Sequence, residues 1–295
     1  MNPASRGTRT NALALSVAVG IAAASWIAAA GAGPVADRIK SGEPIRQGIA
    51  NDSPYGYVGK DGAIIGIEVE LAKQILTAMG AKAIEPSITT FGGLIPGIQA
   101  GRFELASDGI YIRPERCKVV QFAQPHFMFG AGAFIRKGNT QIKVTSMEEL
   151  ARIKTIKLGK LTGGAEDKAY VAAGGNRDQI SDFTDRAGLG AAVKSGRIDV
   201  GLVTAMGAAA AAANDPELEL ITPFKPPTVN GKLFVYYAAF AFPQSDKEAV
   251  DEFSKRLKAI VQSPAYRELL ARYQVPPDVI PNADADVGEI CKSEL

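Results

Sequence analysis

Short apolar segments alternate with amphipathic segments along most of the chain, and this alternation predicts strands and helices in turn. The predicted strands are short, apolar-biased and bounded by turn residues, and they cover 45–50, 83–88, 103–106, 129–135, 155–160, 179–183, 198–203 and 233–242. The predicted helices carry apolar residues three and four positions apart, and the clearest are 67–79, 147–153, 186–195, 205–213, 246–261 and 265–273. Strands that alternate with helices in this way predict an α/β protein with mainly parallel sheets.

The stretch 91–125 combines several of these features with candidate chemistry. A helical segment is expected to end at Gly101, because glycine best adopts the left-handed conformation that closes a helix. The strand 103–106 then leads into Asp108, at the kind of strand end where open α/β sheets bind ligands. Arg116 follows in the first turn of a helix begun by Pro114. An arginine in such a place can hold a carboxylate through two parallel hydrogen bonds.

The first 32 residues have the features of a secretory signal peptide. Arg6 and Arg9 precede an apolar, alanine-rich run over 12–30, and small residues follow at Ala30 and Ala32. We therefore predict cleavage near Ala32 and export to the periplasm. An uncleaved membrane anchor is the alternative, because the apolar run is about long enough to span a bilayer.

Charge and composition exclude several classes of function. Removal of 1–32 takes away Arg6 and Arg9 and no acids, which leaves 31 basic and 31 acidic residues of the 33 and 31 in the whole chain. Without a basic excess or stripe, nucleic acid is not an expected partner. No GxSxG, HExxH or CxxC motif and no metal-ligand spacing occurs, so we expect neither a cofactor nor a metal, and no enzyme. The single histidine, His126, is interpreted as a structural or rim residue.

The two cysteines, Cys117 and Cys291, are an even pair in a chain that is predicted to be exported. Such a pair favours a disulfide, which would tie the C-terminal tail to the helix that carries Arg116. Two free thiols are the alternative.

The stretch 91–125 also resembles the carboxylate-binding segment of family 3 periplasmic solute-binding proteins, the amino-acid receptors of ABC importers. The motifs that carry the resemblance are GGLIPGIQAGRFE, within 92–104, and PERC, at 114–117. A weaker resemblance extends from about Arg46 to Tyr273. Within the family, the chain is most similar to ectoine- and hydroxyectoine-binding proteins.

The resemblance implies a two-lobe, type II binding-protein fold with two hinge crossings, near 136–139 and 226–232. The first lobe would then comprise 33–136 and 232–295, and the second 137–231. Such a receptor closes over a small zwitterion and delivers it to the permease subunits of an ABC importer in the inner membrane. We expect it to be a monomer.

The resemblance also assigns roles in the site. It implies that Arg116 binds the ligand's carboxylate and that Asp52 faces the cationic ring nitrogens of ectoine. Tyr55, Phe91 and Tyr111 correspond to an aromatic cage, whose faces would attract a desolvated cation. Turn capping by Asp52 and ordinary core packing of the three rings are the alternatives.

Several positions depart from the usual family pattern. Gly164 and Ala165 replace hydroxyl residues, so carboxylate contacts there would come from backbone N–H groups. Thr204 replaces the acid that holds an α-amino group, which favours a ligand without a primary amine. Asp108 replaces a small residue, and an extra acid favours a more cationic solute. A polar or cationic amino acid therefore remains an alternative ligand. A second alternative is an enzyme like cyclohexadienyl dehydratase, with Asp52 or Asp108 as its general acid.

Overall fold

Two five-stranded sheets carry the fold in the computed structural model, which describes residues 35–293. The strands are β1 (Ile45–Ile49), β2 (Tyr57–Val58), β3 (Ile64–Ile65), β4 (Ile84–Ile88), β5 (Leu105–Ala106), β6 (Gln121–Phe122), β7 (Phe127–Phe129), β8 (Ala131–Arg136), β9 (Leu158–Leu161), β10 (Ile180–Phe183), β11 (Val200–Thr204), β12 (Leu218–Leu220), β13 (Thr228–Val229), β14 (Lys232–Leu233), β15 (Tyr236–Ala238) and β16 (Ala241–Phe242). The α-helices are α1 (Val35–Ser41), α2 (Ile67–Ala78), α3 (Leu94–Gln99), α4 (Pro114–Cys117), α5 (Met147–Arg152), α6 (Glu166–Ala172), α7 (Arg186–Lys194), α8 (Ala205–Asn214), α9 (Lys247–Val261), α10 (Pro264–Arg272) and α11 (Val287–Ile290).

The two sheets share one layout. The first has the order β4-β1-β5-β16-β6 and the second the order β10-β9-β11-β8-β12. Neighbouring strands are parallel on one side of each sheet, and a single reversed strand, β16 or β8, pairs antiparallel with both of its neighbours. Four of the five strands in each sheet therefore run in one direction, which confirms the predicted α/β fold with mainly parallel sheets.

Amphipathic helices cover the sheets because their apolar positions fall on one face. In α9 the buried residues are spaced three and four apart, and they are Ala249, Val250, Phe253, Leu257 and Val261. The Phe253 ring meets Phe240 and Phe242 edge to face, each at 5.1 Å between ring centroids. This arrangement is one of the favoured geometries for aromatic pairs, and it fixes the position of α9 against the first sheet.

The chain passes between the sheets along β7 and β15, which form a two-stranded antiparallel ladder with Phe129 opposite Tyr236. These crossings differ from the predicted ones. The strand Ala131–Arg136 pairs with β11 and β12, so it belongs to the second sheet, and the boundary predicted after residue 136 is wrong for this strand. The second predicted crossing, 226–232, falls on the hairpin β13–β14, ahead of β15.

The errors have one physical cause. The predicted strands 129–135 and 233–242 are continuous apolar runs. The first contains the end of β7 and most of β8, and the second contains all of β15 and β16. Hydrophobic periodicity shows which positions are apolar, but it does not show where one strand ends and the next begins. An uninterrupted apolar run therefore gives no sign that the chain changes sheet within it. The pattern therefore located both segments and missed the break inside each.

The stretch 91–125 folds largely as its pattern predicts. Helix α3 ends at Gln99, and Gly101 follows its C-cap residue with a φ of 66°, the left-handed conformation expected there. Strand β5 ends immediately before Ser107, and α4 begins at Pro114 and carries Arg116.

Cys117 and Cys291 form a disulfide, with their Cα atoms 5.9 Å apart, as the sequence predicted. The bond joins α4 to a tail in which Val287 and Ile290 pack beside a buried cluster that includes Ile112 and Phe122. Helix α4 is thereby fixed from both sides. The predicted signal peptide, 1–32, lies outside the described residues. Within 35–293 no helix has both the length and the apolar character needed to cross a membrane.

We expect the double variant Cys117→Ser/Cys291→Ser to unfold at a lower urea concentration than the wild type. The disulfide spans 174 residues of sequence, and closing a loop of that size removes denatured-state entropy equivalent to an upper limit of about 5 kcal/mol. Urea titration with and without reductant measures the effect. Reductant should lower the wild-type midpoint and leave the double variant unchanged, and a wild-type midpoint insensitive to reduction would contradict the stabilising role.

Candidate functional site

Loops at the carboxyl ends of the parallel strands of both sheets meet around one cavity. From the first sheet, Asp52 follows β1, Phe91 follows β4 and Asp108 follows β5. From the second sheet, Arg186 follows β10 and Thr204 ends β11. The lining of this cavity consists of Asp52, Phe91, Asp108, Gly109, Tyr111, Leu161, Gly164, Ala165, Glu166, Arg186, Val203 and Thr204.

Seven of the nine ligand-binding residues predicted from the sequence line this cavity. The other two, Tyr55 and Arg116, lie beside it, where their side chains connect the loops of the two sheets. Two charged lining residues, Glu166 and Arg186, were not predicted.

Arg186 and Asp52 form an ion pair across the cavity. Arg186 Nε donates to Asp52 Oδ1 at 3.0 Å, and Arg186 Nη2 donates to Asp52 Oδ2. Asp52 is 4% exposed, so both charges are held largely away from water. Burial alone would lower the pKa of Arg186, but the carboxylate beside it raises that pKa above its usual value. The contact is bidentate, the strongest geometry for these two groups.

Two further contacts link the loops of the first sheet to those of the second. The Tyr55 hydroxyl donates to Thr204 Oγ1 at 2.8 Å, and the same oxygen accepts the Gly207 N–H at 2.9 Å. Arg116 Nη1 donates to the Tyr111 carbonyl and Nη2 to the Gly163 carbonyl, each at 2.8 Å. Burial lowers the pKa of Arg116 to about 10, with nearby Arg113 contributing, which leaves it a cation at neutral pH.

Asp108 is the least satisfied acid in the cavity wall. It is 1% exposed; Oδ1 accepts the Ala50 N–H at a long 3.3 Å, and Oδ2 has no partner. Burial, reinforced by the negative charges of Asp52 and Glu68, raises the pKa of Asp108 well above its usual range, and Arg186 opposes that shift. A donor placed at Oδ2 would remove an unmet bonding requirement.

A buried pair beneath this loop fixes the position of Asp108. The Glu68 carboxylate accepts a hydrogen bond from the Gly109 N–H at 3.0 Å and is hydrogen-bonded to His126 Nε2 at 2.8 Å. The side chains of Glu68 and His126 are fully buried. Gly109 has a φ of 59°, and a Cβ there would lie 2.7 Å from Tyr55 Cζ, so another residue would be strained and would clash. His126 is thus structural, and Glu68, an acid in the first turn of α2, also supports the site.

Two aromatic rings face the cavity. Phe91 and Tyr111 are lining residues, and the Tyr111 ring stacks on Tyr236 with 4.1 Å between centroids. Tyr55 instead packs edge to face on Phe127, at 5.8 Å, with its hydroxyl on Thr204. The aromatic cage predicted from three rings therefore has two rings in the wall and one behind it.

The glycine loop after β9 differs from the predicted carboxylate cradle. The Gly164 N–H donates to the Leu161 carbonyl at 2.9 Å, which removes it from the predicted set of carboxylate donors. Lys160 Nζ reaches the Leu161 and Gly164 carbonyls at 3.2 and 3.3 Å and holds the turn. The next lining side chain is Glu166, whose pKa is raised by burial. An acid here makes the loop a poor anion site.

Arg186 and Glu166, the two charged lining residues that were not predicted, differ in the sequence signal that they carry. Arg186 is in the first turn of α7, where the helix dipole disfavours a cation, and that mismatch was a readable signal of a compensating anion. Glu166 is in the first turn of α6, where an acid is ordinary. Nothing in its local pattern separates it from a solvated helix-start residue.

Unpartnered polar atoms concentrate in the cavity wall. Among residues 35–293, five buried side-chain polar atoms lack a hydrogen-bond partner, and three belong to lining residues: Asp108 Oδ2, Tyr111 Oη and Arg186 Nη1. Buried polar groups in proteins are normally bonded, so three in one cavity indicate a site for a polar molecule. The set complements a solute that both donates and accepts hydrogen bonds.

Comparison with known proteins gives a consistent result. Residues 45–276 match the pattern of the bacterial extracellular solute-binding proteins, family 3. The chain is 31% identical over 260 residues to a probable amino-acid ABC transporter periplasmic-binding protein, y4tE, of Sinorhizobium fredii, covering 87% of this chain and 86% of that one. It is 25% identical over 198 residues to the cyclohexadienyl dehydratase of Pseudomonas aeruginosa, covering 64% of this chain and 70% of that enzyme. The crystal structure of EhuB in complex with hydroxyectoine superposes with a TM-score of 0.72 at 28% identity, covering 87% of this chain and 97% of EhuB.

Replacement of Arg186 by methionine should favour a more open arrangement of the two sheets. Asp52 would lose its partner, and an uncompensated buried charge costs on the order of 3–5 kcal/mol, which opening relieves by hydrating the carboxylate. Small-angle X-ray scattering of the unliganded protein should show a larger radius of gyration for Arg186→Met. Arg177→Met is the matched control, because Arg177 pairs with Asp167 and Asp182 within the second-sheet half. Equal radii for wild type and Arg186→Met would contradict the role of the ion pair.

Proposed function

The chain belongs to family 3 of the bacterial extracellular solute-binding proteins, and on that basis we propose that it is an ABC-importer receptor for a small zwitterion, with ectoine or hydroxyectoine as its ligand. The observation that carries the proposal is the cavity in which Asp108 Oδ2, Tyr111 Oη and Arg186 Nη1 lack partners. Residues 1–32 would direct export to the periplasm, where the receptor, as a monomer, would deliver its ligand to the permease subunits. Similarity to EhuB, solved with hydroxyectoine, supports this ligand class.

The walls of the cavity suit a compact zwitterion with a delocalised cation. Phe91 and Tyr111 line the cavity, and a desolvated cation over the face of an aromatic ring gains about 2 kcal/mol. Asp52, Asp108 and Glu166 line the cavity together with Arg186, and the guanidinium group of Arg116 lies beside it. A doubly charged solute can pair with both, whereas a singly charged one would leave a buried charge unmatched.

We propose that Arg116 binds the ligand's carboxylate. Two of its N–H groups now donate to main-chain carbonyls, and one of those, the Gly163 carbonyl, lies across the cavity in the second-sheet loop. A carboxylate would be a stronger acceptor for a buried guanidinium than a neutral carbonyl. Tyr55 and Thr204 then act by holding the loops together, through the bond between their side chains.

The environment of Thr204 favours a ligand without a primary amine. Its hydroxyl oxygen already accepts from Tyr55 and from the Gly207 N–H, and its side chain carries no charge. A primary ammonium group would find no carboxylate at this position. The same feature disfavours α-amino acids, the alternative ligands.

The alternative enzymatic function has a specific observation behind it. The chain is similar to a cyclohexadienyl dehydratase, and burial raises the pKa values of two lining acids, Asp108 and Glu166, as a general acid requires. We favour the receptor because two guanidinium groups, that of Arg186 in the cavity wall and that of Arg116 beside it, bond both halves of the protein. Incubation with prephenate and with arogenate should yield no product, and turnover of either would replace the receptor proposal.

Ectoine and hydroxyectoine should raise the melting temperature more than other solutes. A ligand at 100 times its dissociation constant stabilises the folded state by about 2.7 kcal/mol through mass action. The measurement is a thermal-shift panel of ectoine, hydroxyectoine, glycine betaine and the twenty amino acids. A larger shift with an amino acid than with either ectoine would overturn the proposed ligand, and no shift with any zwitterion would overturn the receptor proposal.

Arg116→Ala should weaken ectoine binding by roughly 10²- to 10⁴-fold, because a buried carboxylate that loses its partner costs about 3–5 kcal/mol. Isothermal titration calorimetry measures the dissociation constant. Lys118→Ala is the matched control, since Lys118 is an exposed cation at the end of the same helix. A wild-type dissociation constant in Arg116→Ala would remove Arg116 from the binding site.

A further inference from the structure

We propose that Asp108 is the carboxylate that receives the ligand's cationic N–H group, and that Arg186 brings this about by occupying Asp52. The inference rests on the proposed function and deepens it. Its consequence is a rule for ligands: the site takes zwitterions whose cation carries at least one N–H, and it discriminates against fully N-alkylated betaines.

Arg186 leaves Asp52 little capacity for a ligand. Both carboxylate oxygens of Asp52 accept from the guanidinium, one from Nε at 3.0 Å and the other from Nη2. The charge of Asp52 is thereby matched inside the protein. A ligand cation that bound Asp52 would have to displace Arg186 from both carboxylate oxygens. Oδ2 of Asp108 has no partner to displace.

Asp108 has both the free atom and the rigidity that a specific contact needs. Asp108 lines the cavity, and its Oδ2 atom is buried and has no partner, while Oδ1 accepts the Ala50 N–H. The following residue is fixed by the hydrogen bond from Gly109 N to the buried Glu68 carboxylate. The acceptor is therefore held in place before a ligand arrives, which lowers the ordering cost of binding.

The chemistry of Oδ2 sets the ligand rule. A buried carboxylate oxygen is satisfied by a hydrogen-bond donor, and a quaternary ammonium group has none to offer. The ring faces of Phe91 and Tyr111 would attract either kind of cation, so they do not discriminate. Discrimination falls to Asp108, since leaving its oxygen buried without a donor carries a desolvation penalty.

The remaining unpartnered groups select the opposite end of the ligand. Arg186 Nη1 and the Tyr111 hydroxyl can both donate, and both line the same cavity as Asp108. A ligand that supplies an acceptor to these groups and an N–H to Asp108 meets three unmet requirements at once. The pattern fits a small cyclic or compact zwitterion with a carboxylate or hydroxyl acceptor.

Isothermal titration calorimetry on the whole protein tests the assignment, with ectoine and L-arginine as probes that carry N–H groups and glycine betaine as a probe that carries none. Wild type should bind ectoine at least tenfold more tightly than glycine betaine. Asp108→Asn should weaken ectoine by about 10- to 100-fold, the range expected for a hydrogen bond to a charged group. Glu85→Gln, which removes an exposed acid on β4, should match the wild type.

A second variant tests the part assigned to Arg186. Arg186→Met frees the Asp52 carboxylate and makes the cavity one charge more negative, so the affinity ratio of L-arginine to ectoine should rise by about tenfold or more. An unchanged ratio would overturn the role of Arg186. Asp108→Ser, measured beside Asp108→Asn, supplies the same readout if the amide variant folds poorly, and circular dichroism establishes folding for each.

The outcomes separate the two proposals. Wild-type affinity for ectoine in Asp108→Asn, or equal wild-type affinity for ectoine and glycine betaine, overturns the assignment of Asp108 while the receptor function stands. Absence of wild-type binding to ectoine and to L-arginine overturns the receptor proposal, and the assignment of Asp108 falls with it.

Discussion

The ion pair between Asp52 and Arg186 is the interaction on which the rest of the site depends. It joins a loop that follows β1 to the first turn of α7, two segments 134 residues apart in sequence. Burying two charges costs desolvation, and pairing them regains that cost when the geometry is bidentate, so the pair adds little net stability to the fold. The pair instead fixes the relative position of the two loops, because separating them would leave each charge without its partner. While the loops stay together, Asp52 is not available to a ligand.

The first-sheet side of the site has a firm foundation. Asp108 and Gly109 rest on the buried Glu68–His126 pair, and the His126 ring stacks against Phe240 at 4.8 Å between centroids. Arg116 lies on a helix whose last residue is fixed to the C-terminal tail by a disulfide. The acceptor and the guanidinium proposed to meet the ligand's two charges therefore have fixed positions before a ligand arrives. Specificity by geometry needs such support, because a misplaced donor loses most of its hydrogen bond within a few tenths of an ångström.

The position of these side chains at one edge of a sheet could be predicted from the sequence because the relevant signals are local. Asp52, Phe91 and Asp108 each follow an apolar segment read as a strand, and parallel strands present their carboxyl ends at one edge. Arg186 has a local signal, a cation in the first turn of a helix, but that signal does not identify the anion that compensates it. Asp52 is 134 residues away in sequence, so the pairing could not be predicted from local pattern. Glu166 could not be predicted because an acid in the first turn of a helix is common and gives no sign of a binding site. The lobe boundary predicted at residue 136 differs from the observed one because a single apolar run, 129–135, contains the end of β7 and most of β8.

The unmet hydrogen bonds also explain how a ligand would favour the closed arrangement. In an open cleft, water would satisfy Asp108 Oδ2, Tyr111 Oη and Arg186 Nη1, whereas with the loops in contact each is buried without a partner. Each such group costs about 1–3 kcal/mol, so closure without a ligand is penalised by several kcal/mol at this cavity. A solute that bonds all three removes the penalty only in the closed form, and a differential of about 5 kcal/mol shifts a two-state equilibrium by nearly four orders of magnitude. The contacts that bridge the loops, Tyr55 to Thr204 and Arg116 to Gly163, are present on the protein itself, so the ligand has to supply only this difference.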